Sequence, residues 1–252
     1  MKKVNETIKV IQNLRTIRKF SDKEIAKKDL ETIIKSSVRA ANSSRRQNYS
    51  IIVVDEKETL EQLFYGGNKG LVFCLDFNRL LDTAKHMGYD YDPKDIRLFI
   101  TGSIDAILAA QTATIAAKSL GIDSIFTNSV HRAKMEDVYK HFDLPEQYCF
   151  PLIALGLGYP EEEPKWKMGR LSGPGLVHNN KYQRLTSKEL DQLVKDYDDQ
   201  DLKLGIPTES LAEMGFERYL DWFFKVRSRP FPEEKINELY DILKKAKFLV
   251  DK

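Results

Sequence analysis

The stretch Ile104-Asp-Ala-Ile-Leu-Ala-Ala-Gln-Thr-Ala-Thr-Ile-Ala-Ala-Lys-Ser-Leu120 is the most continuous apolar segment of the sequence. Polar side chains interrupt it, among them Asp105, Gln111 and Lys118. These interruptions favour a buried helix of a soluble protein over a membrane span. Ser103 is a candidate N-cap, and Gly121 is a candidate helix end. We therefore expect a long alanine-rich helix in the interior of the protein.

Shorter apolar runs on both sides of this helix predict further elements. Short apolar runs, the first of them rich in β-branched residues, predict strands over residues 50–54, 71–75, 122–127 and 149–157. Apolar residues at helical spacing predict helices over residues 4–14, 30–41, 58–64 and 133–141. Pro151 cannot donate to a sheet, so it is expected at the start or edge of its strand. Residues 82–94 are polar, contain glycine and proline, and predict a loop.

The composition is that of an ordinary soluble protein. The chain has 252 residues, of which 42% are hydrophobic, and a formal net charge of +2. This length indicates one domain, and the mixed charges lack the positive field that attracts nucleic acid. Cys74 and Cys149 lie in apolar runs, which indicates reduced, buried thiols. With no signal-peptide core at the N-terminus, these features predict a cytoplasmic protein.

Several common chemical motifs do not occur in the sequence. Gly156 and Gly158 follow a predicted strand, but they lack the third glycine and the helix of a dinucleotide-binding turn. The histidines are scattered without a metal-binding spacing. Ser103 lacks the glycine two residues later that a nucleophile elbow requires. We therefore predict neither a metal centre nor a hydrolase site.

Basic and polar side chains gather in three short segments instead. Arg15 and Arg18 follow the first helix with Thr16 between them, so both guanidinium groups could converge on one phosphate. The alternative is that these arginines only stabilise the helix C-terminus through its dipole. Taken singly, residues 41–48 are typical of a polar turn and residues 165–170 of a solvated loop.

In their order along the chain, these segments resemble the nitroreductase family, and more closely its branch of flavin reductase P and the major oxygen-insensitive nitroreductase. The similarity covers nearly the whole chain, and the order of the motifs is its specific feature. The motifs are Arg15-Thr-Ile-Arg-Lys-Phe20, Ser43-Ser44 with Gln47, Gly66-Gly-Asn-Lys69, Val72-Phe-Cys-Leu-Asp-Phe-Asn-Arg79, Ser119-Leu-Gly121, Leu144-Pro145, Leu155-Gly-Leu-Gly-Tyr-Pro160, Arg170-Leu171 and Val177-His178.

The resemblance implies an α+β fold in which helices flank a central, mostly antiparallel sheet. It also implies an intertwined homodimer with a helical C-terminal arm and two molecules of flavin mononucleotide (FMN) in the interface. We expect a single FMN-binding domain over residues 1–252, with a core at 1–180 and a helical extension at 181–252. Within the extension, helices are predicted over residues 190–197, 211–224 and 236–249.

The resemblance further implies which residues bind FMN. Phosphate contacts are expected from basic side chains and one hydroxyl: Arg15, Thr16, Arg18, Lys167 and Arg170. Ribityl and ring contacts are expected from polar side chains: Ser43, Ser44, Gln47, Asn68, Lys69, Asn128 and Ser129. Leu14, beside the first arginine, completes this set.

The sequence departs from the family pattern in three places. The stretch after Lys69 is short, which puts the placement of Asn68 and Lys69 in question. Residues 127–129 replace a glycine-rich turn, so side chains would crowd the approach of a backbone N–H to the flavin nitrogen N5. An extra residue separates Lys167 from Arg170, which leaves Lys165, Lys167 and Arg170 as alternatives for the phosphate.

The implied activity is electron transfer from NADPH or NADH to nitroaromatic, quinone or flavin acceptors by a ping-pong mechanism. The additional phosphate of NADPH calls for a basic side chain, with these candidates: Lys203, Arg218, Lys225, Arg227 and Arg229. One alternative is an FMN-binding carrier or sensor without reductase turnover, in which residues 127–129 block the acceptor face. Another is a helical interaction protein that uses residues 222–224, but it leaves the basic segments unexplained. No nucleic acid or membrane partner is expected.

Overall fold

The computed structural model describes residues 5–249, and the contacts divide the chain into two compact units. The first unit comprises Met1–Glu163 and Glu233–Lys252, and the second comprises Pro164–Pro232. The last helix therefore groups with the first unit, whereas the sequence assigned it to a continuous C-terminal extension. The helix predicted over 4–14 begins at Glu6, and Val4 lies outside the described residues.

The first unit is built on a four-stranded sheet in the order β1-β2-β4-β3, with every neighbouring pair antiparallel. The strands are Tyr49–Val54 (β1), Lys69–Asp76 (β2), Asp123–Thr127 (β3) and Cys149–Gly158 (β4). Each overlaps a predicted strand, and the α+β class with an antiparallel sheet is confirmed. Pro151 lies beyond the part of β4 that pairs with β3, since that pairing starts at Ala154. It therefore lies at an edge that no strand pairs, as predicted, and its carbonyl is hydrogen-bonded to the His131 ring at 2.7 Å.

Helices cover both faces of this sheet. Those of the first unit are Glu6–Gln12 (α1), Lys27–Ser37 (α2), Lys57–Leu63 (α3), Asn78–His86 (α4), Ile96–Ser119 (α5), Ser129–Arg132 (α6), Met135–His141 (α7) and, at the C-terminus, Glu233–Lys245 (α11). On one face, α2 and α5 pack against Leu71 and Phe73. On the other, α3, α7 and α11 enclose Val72 and Cys74. The alternation along β2 sends its side chains into two cores.

The long helix α5 begins earlier than its alanine content suggests. Ser103 is not its N-cap, because the side chain of Asp95 accepts the N–H of Arg97 at the true helix start. At Gly102 a Cβ atom would lie 2.2 Å from the side chain of Leu75, so glycine permits close packing on β2. Among the described residues, α5 alone has the length and composition of a membrane span. Its buried face nevertheless packs alanines on the sheet.

The predicted loop over residues 82–94 was wrong in its first half, because α4 continues to His86. The helix has no fully buried residue. Leu81 is its partly buried contact with the core, while lysine, aspartate and histidine side chains face outward. The helix is amphipathic but has few apolar residues, so its high polar content favoured the prediction of a loop.

The second unit is helical over three segments and a π-helical turn. They are Ser187–Asp198 (α8), Thr208–Glu213 (α9), Tyr219–Trp222 (α10) and the turn Phe223–Arg227. The single helix predicted over 211–224 is broken, because Gly215 adopts a φ of 76° after α9. Tyr197 stacks on Tyr219 with ring centroids 5.4 Å apart, so Tyr219, close to the aromatic residues 222–224, packs internally.

Candidate FMN site

The segment after α1 runs along the edge of β3. Thr16 forms a parallel bridge with Ser124, and the N–H of Ile17 donates to the Ser124 carbonyl at 3.1 Å. Ile17 is buried and anchors the segment, while Leu14 is half-buried and Thr16 is exposed. The backbone of this segment, residues 14–18, is therefore fixed beside the sheet, and we call the segment the strap.

Arg15 projects from the strap to the start of β3, where it meets a buried carboxylate. Its Nη2 lies 2.8 Å from Asp123 Oδ2, and Lys118 Nζ lies 2.6 Å from Asp123 Oδ1. The Asp123 side chain is only 4% exposed. Two cations therefore share one buried anion, which fixes their positions.

An exposed carboxylate, Glu163, occupies the other edge of the Arg15 guanidinium. Its Oε1 accepts from Arg15 Nη2 at 3.1 Å, and its Oε2 accepts from Nη1. The pKa of Arg15 is raised, chiefly by the hydrogen bond to Glu163 and then by that to Asp123. The pKa of Glu163 is lowered by the same bond. Because Glu163 is solvent-exposed, an incoming anion can take its place.

Arg18 lies on the same strap and is exposed. Within residues 5–249 its side chain has no hydrogen bond or ion pair. A free guanidinium three residues from Arg15 is suited to a phosphate, whose oxygens accept bidentate hydrogen bonds. The donor set of the strap thus fits the phosphate of FMN.

The turn at residues 43–48 has an unusual backbone. Ser44, Arg45 and Gln47 have φ values of 51°, 59° and 49°, in the left-handed region that favours glycine. The N–H of Ser43 donates to Asp105 Oδ1 at 2.8 Å. Arg79 Nη2 donates to the carbonyl of Gln47 at 2.6 Å. Ser43, Ser44 and Gln47 are therefore held in one defined, strained turn.

The turn contacts α5 near its middle, and the strap contacts it at its C-terminal end. The turn binds Asp105, and the strap binds Asp123, which pairs with Lys118 near the last turn of the helix. Thirteen residues separate positions 105 and 118, so their Cα atoms lie about 20 Å apart along the axis. The two parts of the predicted site are well separated within one chain.

Asn68 and Lys69 lie where β2 begins. The N–H of Asn68 donates to the Leu157 carbonyl at 2.7 Å, and its side-chain oxygen accepts the N–H of Ile25 at 2.6 Å. Lys69 Nζ is 3.7 Å from a carboxylate oxygen of Asp55. The side-chain carbonyl of Asn68 therefore already accepts a hydrogen bond from the chain itself. The side-chain NH2 group remains as the donor toward a ligand.

Asn128 and Ser129 follow β3 and start α6. The N–H of Ser129 donates to Thr127 Oγ1 at 3.0 Å, and its hydroxyl donates to the Leu63 carbonyl at 2.6 Å. Asn128 is exposed. Of the two, Asn128 keeps a side chain that is open to solvent, whereas both donors of Ser129 are engaged.

Lys167 and Arg170 belong to the second unit. Both are exposed, and Arg170 Nη1 donates to the Gly169 carbonyl at 2.8 Å. The N–H of Gly169 donates to the Lys203 carbonyl at 2.8 Å, and the Lys203 ammonium lies 5.4 Å from the Trp166 ring centroid. This basic segment is thus an ordered loop rather than a free tail.

Several residues that organise these segments were not predicted from the sequence. They are Asp105, Asp123, Lys118, Arg79 and Glu163. Asp105 and Lys118 were noted only as interruptions of an apolar stretch. An acidic residue inside an alanine-rich helix must find partners when buried, and this signal could have identified Asp105.

Comparison with known proteins gives a consistent result. The family model described as Nitroreductase family matches residues 11–72, which include the strap and the turn. The FMN reductase (NADPH) of Bacillus subtilis strain 168 is 31% identical over 211 residues, covering 77% of this chain and 84% of the relative. The oxygen-insensitive NADPH nitroreductase of Salmonella typhimurium is 32% identical over 206 residues, covering 78% and 81%.

A solved structure shows the same fold over the full length. NfrA2 of B. megaterium is 27% identical, with a TM-score of 0.80, and the match covers 99% of this chain and 100% of the other. The similarity therefore extends to the region after residue 163 as well as the first unit.

Proposed function

The chain belongs to the nitroreductase family, and from this premise we propose that it is an FMN-dependent oxidoreductase that passes electrons from NADPH or NADH to a nitroaromatic, quinone or flavin. The observation that carries the proposal is the strap, where Arg15 is fixed on a buried carboxylate and Arg18 remains free. Relatives named FMN reductase and nitroreductase support the same activity.

The residues of the chain hold FMN in this proposal. Arg15 and Arg18 bind the phosphate together with Thr16, while Ser43, Ser44 and Gln47 contact the ribityl chain or ring edge. Further contacts come from these positions: Leu14, Asn68, Lys69, Asn128, Ser129, Lys167 and Arg170. When bound, FMN supplies the redox chemistry, accepting hydride from the nicotinamide and passing electrons to the acceptor. No side chain of the site needs to act as an acid.

The functional unit in this proposal is a homodimer. Along α5, isoleucines at helical spacing are about half exposed, among them Ile100 at 54%, Ile104 at 50% and Ile107 at 48%. Ile8 and Ile11 of α1 are exposed as well. Such a large exposed apolar stripe favours association with a second copy. A dimer also allows the turn of one subunit to approach the strap of its partner and complete a shared FMN site.

The dimer can be tested at this stripe. Ile104→Asp places a charge on the exposed face, away from the sheet. We expect light scattering to show a monomer, and we expect bound FMN to be lost. Thr101→Asp, on the margin of the stripe, is the matched control and should remain a dimer with bound FMN. An FMN-bound monomer would contradict the shared site.

One ion pair reduces the set of candidate residues for the additional phosphate of NADPH. Arg218 forms a two-bond ion pair with Asp221, with distances of 2.9 and 3.2 Å. We therefore favour Lys203, Lys225, Arg227 and Arg229 for the additional phosphate of NADPH. Neutral substitutions at these positions, compared by kcat/KM for NADPH and NADH, identify the residue by a selective loss with NADPH.

The central test is the visible spectrum of the protein after incubation with FMN and desalting. We expect a retained flavin spectrum that bleaches when NADPH is added without oxygen. Retained flavin that stays oxidised with both NADPH and NADH would favour a carrier or sensor. Failure to retain flavin would contradict the proposal.

The ping-pong order has its own kinetic test. If the nicotinamide and the acceptor use one open face in turn, excess acceptor inhibits competitively with NADPH, and double-reciprocal lines are parallel. Intersecting lines would indicate a ternary complex. This mechanism is compatible with a cytoplasmic enzyme whose substrates are small molecules.

A further inference from the structure

The backbone of the turn at residues 43–48 is strained, and the turn has no glycine at the strained positions. Ser44, Arg45 and Gln47 all have left-handed φ values, and none of them is glycine. Each such residue costs about 1 kcal/mol relative to an ordinary conformation. Hydrogen bonds within the turn, such as that from the Arg46 N–H to the Ser43 carbonyl at 3.0 Å, act together with contacts from outside it to maintain this shape.

Asp105 supplies such contacts from the interior. Its residue is 1% exposed. Oδ1 accepts the N–H of Ser43 at 2.8 Å, and Oδ2 accepts the side-chain amide and the N–H of Asn48 at 3.1 and 3.3 Å. One carboxylate therefore joins the first and last residues of the turn. A buried carboxylate requires this number of donors, so the turn and Asp105 stabilise each other.

Arg79 supplies contacts from the solvent side. It lies in the first turn of α4, and its Nη2 donates to the carbonyls of Arg46 and Gln47 at 2.8 and 2.6 Å. These carbonyls belong to the second half of the turn. Together, Asp105 and Arg79 bind the turn on opposite sides, one through its N–H groups and the other through its carbonyls.

We propose that Asp105 and Arg79 are positioning residues that hold the 43–48 turn in the shape that contacts FMN. The inference rests on the proposed function, in which Ser43, Ser44 and Gln47 touch the cofactor. Neither Asp105 nor Arg79 has to touch the cofactor itself. They order the strained turn before FMN binds. Binding therefore does not have to supply the free energy of ordering, and the affinity for FMN is higher.

The main test compares two substitutions of Asp105. Asp105→Ala removes all acceptors, and we expect FMN affinity to fall about 10- to 100-fold. Asp105→Asn keeps an acceptor for Ser43. Its amide can also donate to the Asn48 side-chain oxygen, which is buried without a partner, after rotation of that amide. We therefore expect Asp105→Asn to recover most of the affinity.

Ser103→Ala is the matched control on the same helix. The Ser103 hydroxyl is buried and has no hydrogen-bond partner, so its removal leaves FMN affinity unchanged. Arg79→Met is the second positioning variant, and it should fold because Arg79 is exposed. We expect its FMN affinity to fall about 5-fold. Unchanged affinity in Arg79→Met and in a folded Asp105→Ala would overturn the proposal.

Two further readouts separate positioning from a general loss of stability. Riboflavin lacks the phosphate, so loss of the turn should weaken riboflavin and FMN by the same factor. In limited trypsin digestion, Asp105→Ala should be cut first after Arg45 or Arg46, while the wild type and Ser103→Ala resist at those bonds. Cleavage that starts elsewhere would count against a released turn.

The experiment also separates this inference from the proposed function. A wild-type protein that binds no flavin contradicts the proposed function. A wild type that binds FMN, with folded positioning variants that bind it equally well, contradicts only the role of Asp105 and Arg79.

Discussion

The strap at residues 14–18 and the turn at residues 43–48 are held in place by different kinds of contact. Each is fixed by a buried aspartate, Asp123 for the strap and Asp105 for the turn. At Asp123 the partners are the cationic side chains of Arg15 and Lys118. At Asp105 the partners are backbone and amide N–H groups without charge.

This difference separates charge from shape. The strap presents positive charge and can bind an anion by electrostatic attraction, which salt and competing carboxylates weaken. The turn presents a rigid outline of hydroxyl and amide groups, whose value depends on geometry. A cofactor with a phosphate at one end and a ring at the other requires both kinds of surface.

The largest expected effect comes from Arg15→Met, which removes the charge from the strap. We expect FMN affinity to fall about 100-fold, because a charge-assisted contact to phosphate is lost. Riboflavin affinity should change little, in contrast to turn variants. Stability should also decrease by about 1–3 kcal/mol, since Asp123 keeps only Lys118 as a cationic partner.

Arg18→Met is the matched control for this variant. Arg18 is exposed and unpaired within residues 5–249, so its loss should weaken FMN without changing the midpoint of thermal unfolding. Flavin fluorescence titration and thermal unfolding of the flavin-free protein measure both quantities. An equal loss of riboflavin and FMN in Arg15→Met would remove the distinction between charge and shape.

An intermediate effect is expected from Arg45→Gly in the turn. Glycine adopts the φ of 59° without steric cost, so the free energy of unfolding should rise by about 1 kcal/mol. Arg39→Gly is the control, because Arg39 is exposed and has no left-handed φ to relieve. Chemical denaturation of the two variants provides the comparison. A destabilised Arg45→Gly would mean that the turn carries no relievable strain.

The smallest effect is expected from Glu163→Gln, which removes the competing carboxylate from Arg15. FMN affinity should rise about 3-fold at low salt, and the gain should shrink at high salt. Titration at two salt concentrations measures it. Weaker binding in this variant would indicate that Glu163 supports the FMN-bound state instead.

The pH dependence of this ion pair has a defined sign. The pKa of Glu163 lies below its ordinary value in the folded protein, because Arg15 stabilises the carboxylate. Any stability from the pair is therefore complete above the ordinary glutamate pKa, and it is lost as pH falls through the lowered one. In acid unfolding, the free energies of unfolding of the wild type and Glu163→Gln should differ only above the lowered pKa.

Much of the fold could be predicted from the sequence. Short apolar runs located every strand, because such runs suit a sheet that is covered on both faces. The helix α4 escaped detection, because its polar residues outnumber its partly buried leucines. The start of α5 was misplaced, because Asp95 caps an isoleucine-rich turn that lies before the alanines.

The candidate site was predicted only in part. Side chains that face a ligand, such as Arg15 and Ser43, belong to local motifs that the sequence displays. Asp105 and Asp123 act on segments 62 and 108 residues away in sequence, so no local pattern links them to the strap or the turn. The strain at Ser44 and Gln47 was equally hidden, since these residue types do not require a positive φ.

The attachment of the strap and the turn to separate parts of α5 implies genetic complementation. If each cofactor is shared, a subunit with Arg15→Met still carries an intact turn, and a subunit with Asp105→Ala still carries an intact strap. Co-expression of the two defective chains would create heterodimers in which one site is wholly normal and the other doubly damaged. Random assortment would restore about one quarter of all sites, although neither parent homodimer binds flavin well.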